Sequence, residues 1–393
     1  MPKKEVDQFF SDIYHQITHQ SENDLSPFAT LSKEAVRRLP EPEDPRAPFA
    51  LDRDRILYSG AFRRYSGKTQ VIYFASQLDE MLTSRIIHTL SVAQVARTIG
   101  KFLSLNEELI EAIALSHDLG HSPFGHDGEK FLSNICEDHG IGQYHHHVQS
   151  LHIVDSVAKK GRGLNLTLQV RDGILSHDGE VHNQRLEPNK GKTDKDLQKY
   201  VQTRKSGAYI DMMPMTLEGC VMRISDTVAY IGQDLEDAIR IDIIGREDIP
   251  SDLRDRLGST NGEIMNTLIK DVIYNSYRKG YVNFSKEISG ALKQLKDFNY
   301  EKIYLNKRLK RDHEKIIHGF EVLFRLFLTD LKNGTKRSRI YKHFLDTKHK
   351  IYLESTNDAE KVRDFIAGMT DRYYVEVLQD LTIPKMNPID FRQ

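Results

Sequence analysis

Ser116-His117-Asp118-Leu119-Gly120-His121-Ser122-Pro123-Phe124-Gly125-His126-Asp127-Gly128-Glu129 places three histidines, two aspartates and a glutamate within fourteen residues. An apolar run, Leu109 to Leu115, leads into it, and a second run from Lys130 to Ile135 leads out. Between the runs, glycine and proline break the chain into a turn. A histidine and an aspartate side by side at a helix end can reach one cation, through imidazole nitrogen and carboxylate oxygen. Such mixed ligation suits Zn, Mn, Fe or Mg better than Ca. A bare His-Asp pair equally describes a helix C-terminus beside a turn aspartate. Two further histidines and a glutamate in the same turn move the reading toward a metal site. Of 17 histidines in the chain, eight fall between His117 and His152, and clustering of that kind marks a site.

Toward the N-terminus, residues 81–103 have the clearest helical period. His88, Val92, Val95 and Ile99 share one stripe, which sets an imidazole on an apolar face. A buried imidazole needs a partner, as a hydrogen-bonded core residue or as a ligand. Arg85 lies one turn earlier and brings a fixed positive charge near whatever His88 touches. Residues 52–70 are polar and basic but interleaved with aromatics, ending Phe62-Arg63-Arg64-Tyr65-Ser66-Gly67-Lys68-Thr69-Gln70. They read equally as a charged surface helix with a loop or as donors for anionic oxygens. Residues 21–50 read as an irregular arm, and residues 3–20 as a short amphipathic helix.

Toward the C-terminus, residues 106–116 are expected to be helical, as are 145–160, which open on His145-His146-His147, and 164–176. The last ends at Ser176-His177-Asp178-Gly179-Glu180, a second His-Asp pair read as a helix end or a substrate-side loop. Residues 181–212 lack periodicity and suggest a long mobile loop or lid. Over 215–240 an apolar face, Val221, Ile224, Val228, Ile231, Leu235 and Ala238, returns. Asp226, Tyr230 and Asp234 fall on one line of the opposite side, either a solvated face or a row lining a cavity. Beyond 250 the period is helical and strand signals are nearly absent. A long helix is expected over 300–331 with a basic side of Lys302, Lys307, Arg308, Lys310, Arg311 and Lys315, followed by Lys336, Arg337, Arg339 and Lys342. Such runs are solvated faces or sites for a nucleotide or a nucleic-acid strand.

The chain has 393 residues and a net charge of -1, so it carries no overall bias toward nucleic acid or acidic membranes. With a mean hydropathy of -0.53 and no apolar run of spanning length, it is expected to be a soluble, cytoplasmic protein without a membrane partner. Two cysteines, Cys136 and Cys220, give no disulfide framework and fit a reducing compartment.

A catalytic metal needs several protein ligands and an open position. His117 and Asp118 supply two, and His88 and Asp226 are the candidates for the others. The order His…His-Asp…Asp resembles the HD-domain metal phosphohydrolases. Four stretches narrow this to the deoxynucleoside triphosphate triphosphohydrolases, the dGTPase-like branch. They are Phe62-Arg63-Arg64 with Gly67-Lys68-Thr69-Gln70, Arg85-Ile86-Ile87-His88, the turn from His117 to Glu129, and Asp226-Thr227-Val228-Ala229-Tyr230-Ile231-Gly232-Gln233-Asp234. The match covers about residues 50–240. It departs at Tyr144-His145-His146-His147-Val148-Gln149, where many relatives have a Glu-Gly-Asn-like segment; His146 is the best match to a substrate-facing histidine.

The resemblance implies an all-α fold, an HD-domain helical bundle over 51–245 between an N-terminal arm, 1–50, and a helical C-terminal region, 246–393. It implies hydrolysis of a dNTP to deoxynucleoside and triphosphate, with a divalent metal (Mn, Mg, or Fe, Zn or Ni) on His88, His117, Asp118 and Asp226. It implies His126, oriented by Glu129, as the acid for the leaving 5′ oxygen, and His121 and Arg85 on phosphate oxygens. Tyr230 is placed against the sugar where a 2′-hydroxyl would clash, and Gln70 and Asp234 at the 3′-hydroxyl. Expected partners are the dNTP substrate, a dNTP effector, single-stranded nucleic acid on the basic C-terminal helix, and further copies of the chain in a homo-oligomer. The competing readings are another HD nucleotide phosphohydrolase of nucleotidase type, and a non-catalytic nucleotide sensor or strand-binding module with a structural metal.

Overall fold

Two long helices form the spine of the computed structural model, which describes residues 12–13, 16–17, 20, 22–42, 44–73, 81–178, 182–310 and 312–383. The short helix expected over 3–20 falls mostly outside these residues, as do Gly179, Glu180 and Arg311. The principal helices are α1 (Pro48–Leu57), α2 (Arg85–Phe102), α3 (Glu107–Ser116), α4 (Gly125–Asp138), α5 (His146–His152), α6 (Leu168–Ser176) and α7 (Asp194–Lys205). They continue with α8 (Leu217–Arg240), α9 (Asn261–Ser276), α10 (Lys286–Asn299), α11 (His313–Lys332), α12 (Asp358–Ala367) and α13 (Asp371–Thr382). Among the described residues the only sheet is a two-residue antiparallel pair, β1 (Arg185–Leu186) with β2 (Val282–Asn283). The fold is all-α, as expected.

α2 and α8 pack along their length because each carries one continuous apolar stripe. His88, Val92, Val95 and Ile99 of α2 are all buried, and so is the face of α8 from Val221 to Ala238. α3 lies at the centre, against α1, α2, α6 and α8. Its N-terminus is capped by the Asn106 side chain, which accepts from the Leu109 amide at 3.2 Å, with Glu107 and Glu108 in the first turn to offset the helix dipole. α8 starts with Thr216, whose hydroxyl accepts from the Gly219 amide at 3.0 Å. The N-terminal arm is tied down by a buried carboxylate: Glu218 accepts from the Thr30 amide and hydroxyl, both at 2.8 Å.

Three expectations about elements change. The helix expected over 145–160 stops at His152. Residues 153–157 widen into a π-turn, and Lys159 and Lys160 take φ of 49° and 60°, which reverses the chain. The expected loop over 181–212 contains β1 and α7. Of the twelve residues of α7 only Leu197, Tyr200 and Arg204 are buried, a narrow i, i+3, i+7 stripe in an otherwise charged and polar segment. The long helix expected over 300–331 is broken into a π-turn at Tyr300–Tyr304, a 3-10 turn at Lys307–Lys310, and α11. The break turns Tyr304 inward, where its hydroxyl donates to Asp234. Lys302, Arg308 and Lys315 stay exposed. Cys136 and Cys220 are both free and buried. Among the described residues no helix is long and apolar enough to cross a membrane.

Candidate metal centre

α3 ends where the site begins. His117 is its C-cap residue, and its Nδ1 lies 2.7 Å from the Ala114 carbonyl. A carbonyl only accepts, so Nδ1 carries a proton and Nε2 is the nitrogen turned toward the site. It is buried and makes no hydrogen bond. It faces Asp118 Oδ2 at 3.4 Å and Asp226 Oδ1 at 3.9 Å. His88 Nε2 of α2 lies 3.1 Å from the same Asp226 oxygen. The ligating atoms of His88, His117 and Asp118 all fall within 4.8 Å of one another. Three helix segments thus bring two imidazoles and two carboxylates to one point.

The charges suit a cation. Burial pushes the His117 imidazole down, but Asp118 and Asp226 outweigh it and hold its pKa above the ordinary value. Burial alone would raise Asp226; His88 and His117 bring it down to about 2. Asp118 is likewise held well below the carboxylate range against its burial, by His117, His121 and Arg85. Two ionised carboxylates, with a buried imidazole nitrogen that makes no hydrogen bond between them, are stabilised by positive charge, which a divalent metal would supply.

A second layer of histidines surrounds Asp118. His121 Nε2 is 3.3 Å from Asp118 Oδ1, His177 Nε2 3.5 Å and His146 Nε2 3.9 Å. The Arg85 guanidinium binds Asp118 Oδ2 directly, and its Nη2 is buried without a hydrogen-bond partner. His121 and His146 stack, with ring centroids 4.1 Å apart. Glu129 joins His126 Nδ1 at 3.3 Å to His146 Nδ1 at 3.0 Å. Burial lowers the pKa of His146, but Glu129 outweighs it and lifts it to about 10, while His146 and His126 hold Glu129 well below its ordinary value. His121 is driven well down by burial and by Arg85, so it is neutral near pH 7.

His88, Asp118, His121, His146, His177 and Asp226 line one cavity of about 270 Å³. Gln70, Arg85, His126, Tyr230 and Asp234 also line it, so every site residue singled out in the sequence reaches either the metal cluster or this cavity, Glu129 through His126 and His146. The Gln70 Oε1 is buried there without a partner. His126 stands at the mouth, with 73% of its side chain exposed.

His177, expected at a helix end or in a substrate-side loop, belongs to the site: its ring stands 4.8 Å from that of His117 and its Nε2 3.2 Å from that of His146. The signal was present: Ser176-His177-Asp178 repeats Ser116-His117-Asp118. Both serine hydroxyls donate to the carbonyl four residues back at 2.7 Å, and both histidines donate Nδ1–H three residues back at 2.7 Å. Tyr304 and Leu309 also line the cavity, and no pattern in the sequence pointed to them.

Comparison with known proteins gives two family matches: the HD domain over residues 85–231 and the phosphohydrolase-associated domain over residues 282–380. A protein of Caldanaerobacter subterraneus subsp. tengcongensis, named deoxyguanosinetriphosphate triphosphohydrolase-like protein, is 41% identical, over 92% of this chain and 93% of that one. A protein of the same name from Clostridium perfringens (strain SM101) is 37% identical, over 92% and 95%. A solved structure of a hypothetical protein from Aquifex aeolicus aligns over 77% of this chain and 67% of that one at 16% identity, with a TM-score of 0.35, too loose a likeness to carry an argument.

Proposed function

Because the chain belongs to the deoxyguanosinetriphosphate triphosphohydrolase-like family of HD-domain proteins, we propose that this nucleotide phosphohydrolase cleaves dNTPs, dGTP foremost, to deoxynucleoside and intact triphosphate. The observation that supports this reading is the buried Nε2 of His117, without a hydrogen bond and set between Asp118 and Asp226, two carboxylates that line the same cavity as Arg85, Tyr230 and Asp234. His88, His117, Asp118 and Asp226 would hold a divalent cation. Such a cation supplies Lewis acidity toward a phosphoryl oxygen and toward water.

The other roles belong to the chain's own groups. Arg85 offers its free Nη2, and His121 its neutral ring, to phosphate oxygens. His126 donates a proton to the departing 5′ oxygen, which otherwise leaves as a poor alkoxide, and Glu129 fixes the orientation of its ring. His146 is an imidazolium bound to Glu129. With its Nε2 directed into the site, it adds positive charge beside the phosphates. Tyr230 packs against the sugar and excludes a 2′-hydroxyl. Gln70 and Asp234 bind the 3′-hydroxyl, Asp234 being held in place by Tyr304.

The test is incubation with each dNTP and ribonucleoside triphosphate and with Mn²⁺ or Mg²⁺, followed by product identification. Deoxynucleoside and inorganic triphosphate in equal amounts are expected, with ribonucleotides untouched. Orthophosphate or pyrophosphate instead assigns the site to another nucleotide phosphohydrolase; binding without turnover assigns it to a sensor.

A further inference from the structure

The turn between α3 and α4 is gripped from behind by two buried side chains that take no part in the roles above. Asp371 opens α13, 5% exposed, and each of its carboxylate oxygens serves a different segment of the site. Oδ1 accepts from the Phe124 amide at 3.0 Å. Oδ2 accepts from the Thr69 amide at 2.9 Å and from the Thr69 hydroxyl. Lys68, equally buried, donates Nζ–H to the His121 carbonyl and, at 2.8 Å, to the Ala367 carbonyl at the end of α12. Both ends of the His121–Phe124 turn are therefore tied to the C-terminal helices.

The grip falls where the backbone needs it. Phe124 has φ 63° and ψ 27°, a left-handed conformation that costs a side-chain-bearing residue free energy and persists only where its surroundings impose it. Two residues later stands His126. The Lys68–Gln70 segment is in turn the seat of Arg85: the Arg85 amide donates to the Lys68 carbonyl at 3.3 Å, and its Nε to the Thr69 carbonyl at 3.2 Å. One carboxylate thus fixes the turn bearing His121 and His126 against the segment bearing Gln70 and Arg85.

We propose that Asp371, assisted by Lys68, is a positioning residue for the hydrolysis, and that by docking it the phosphohydrolase-associated region completes the active site of the HD domain. This rests on the proposed triphosphohydrolase activity for its kinetic consequence but not for the clamp itself. None of the metal ligands belongs to the clamp, so its loss leaves the metal in place while the groups around the substrate drift. Displacements of about 1 Å in such groups cost on the order of 10²-fold in rate.

The experiment uses the full chain loaded with Mn²⁺ and the variants Asp371→Asn, Thr69→Val and Thr69→Ser. The amide nitrogen of the asparagine faces either Phe124 N–H or Thr69 N–H, donor against donor. Hydrogen–deuterium exchange over residues 119–127, bound Mn²⁺, kcat and KM for dGTP are measured. For Asp371→Asn the expected result is faster exchange in 119–127 with α2 unchanged, full Mn²⁺ stoichiometry, kcat lower by about 10²-fold and KM raised severalfold. Thr69→Val shifts all of these the same way to a smaller degree, and Thr69→Ser restores them. Wild-type exchange in Asp371→Asn overturns the proposal. So does faster exchange with wild-type kcat, or loss of Mn²⁺ and kcat in equal proportion at unchanged KM, which marks mere loss of folded protein. Should Asp371→Asn not fold, the threonine pair decides, and equal kcat for Thr69→Val and Thr69→Ser overturns it. A wild type that releases no triphosphate refutes the activity instead, and exchange in 119–127 then decides the clamp alone.

Discussion

His117 shows how little is needed to aim a ligand. A single backbone carbonyl fixes its tautomer, and the opposite nitrogen, buried with no hydrogen bond, can be satisfied only by something not contributed by its own helix. Asp234, two turns along α8 from Asp226, has the opposite problem. Burial and the nearby Asp237 push its pKa up, to about 7, although Tyr304 works against them. The sign of the consequence follows from linkage. An unfolded aspartate ionises near pH ~3.9, so between there and pH 7 the folded state holds a proton that the unfolded state has lost. Asp234 therefore costs the fold progressively more as pH rises through that window, and a constant amount above it. Asp234→Asn keeps an acceptor for Tyr304 and removes the cost. In thermal melts from pH 4 to 9 the variant should gain on the wild type up to pH 7 and then hold its lead. A lead independent of pH would mean that Asp234 is ionised throughout.

The helices explain which parts of the site could be read in advance. α8 is strongly periodic and α2 carries one apolar stripe, so spacing alone set an imidazole at 88 on that stripe and Asp226, Tyr230 and Asp234 on one line opposite the core, a solvated face or a cavity row. His88 and Asp234 are buried, and all four positions line the cavity, so the row on α8 faces a cavity. α7 was illegible because its buried face is three residues wide, and the break at 300–312 because its period runs through while Tyr304 turns inward. His177 was lost to a different ambiguity, since one histidine at a helix end looks alike whether it faces solvent or a neighbouring site. Packing between elements is a further constraint that no window of sequence shows. A Cβ on Gly120 would stand 2.2 Å from the His146 carbonyl and 2.3 Å from the Ser150 amide, so α5 sits directly on the turn that follows His117 and Asp118. Gly120→Ala must push α5 outward and His146 with it. A stability loss of about 1–3 kcal/mol is expected in denaturant titrations, together with a fall in turnover. A variant with wild-type stability would show that the two elements are not in contact as described.

Across the whole molecule, the HD portion supplies the His/Asp cluster and most of the cavity, while the C-terminal helices supply what closes it. Tyr304 and Leu309 line the cavity, and Asp371 and the Ala367 carbonyl hold the turn. These residues lie at least 70 positions from Asp234, the last site residue legible in the sequence; Tyr304 and Asp234 are separated by that number. Their contribution depends on how one helical layer docks on another, and pairwise docking leaves no periodic trace. The motifs were readable because metal chemistry restricts residue type, whereas the framework behind them satisfies only shape and hydrogen bonding. The claim beneath all of this is that helices far apart in the chain meet at one cation. Crystals grown with Mn²⁺ test it directly through the anomalous difference map. One peak is expected, about 2.0–2.2 Å from Nε2 of His88 and His117 and from a carboxylate oxygen of Asp118 and of Asp226. A map with no peak among those four residues, or with its peak between Glu129 and His146 instead, would contradict it.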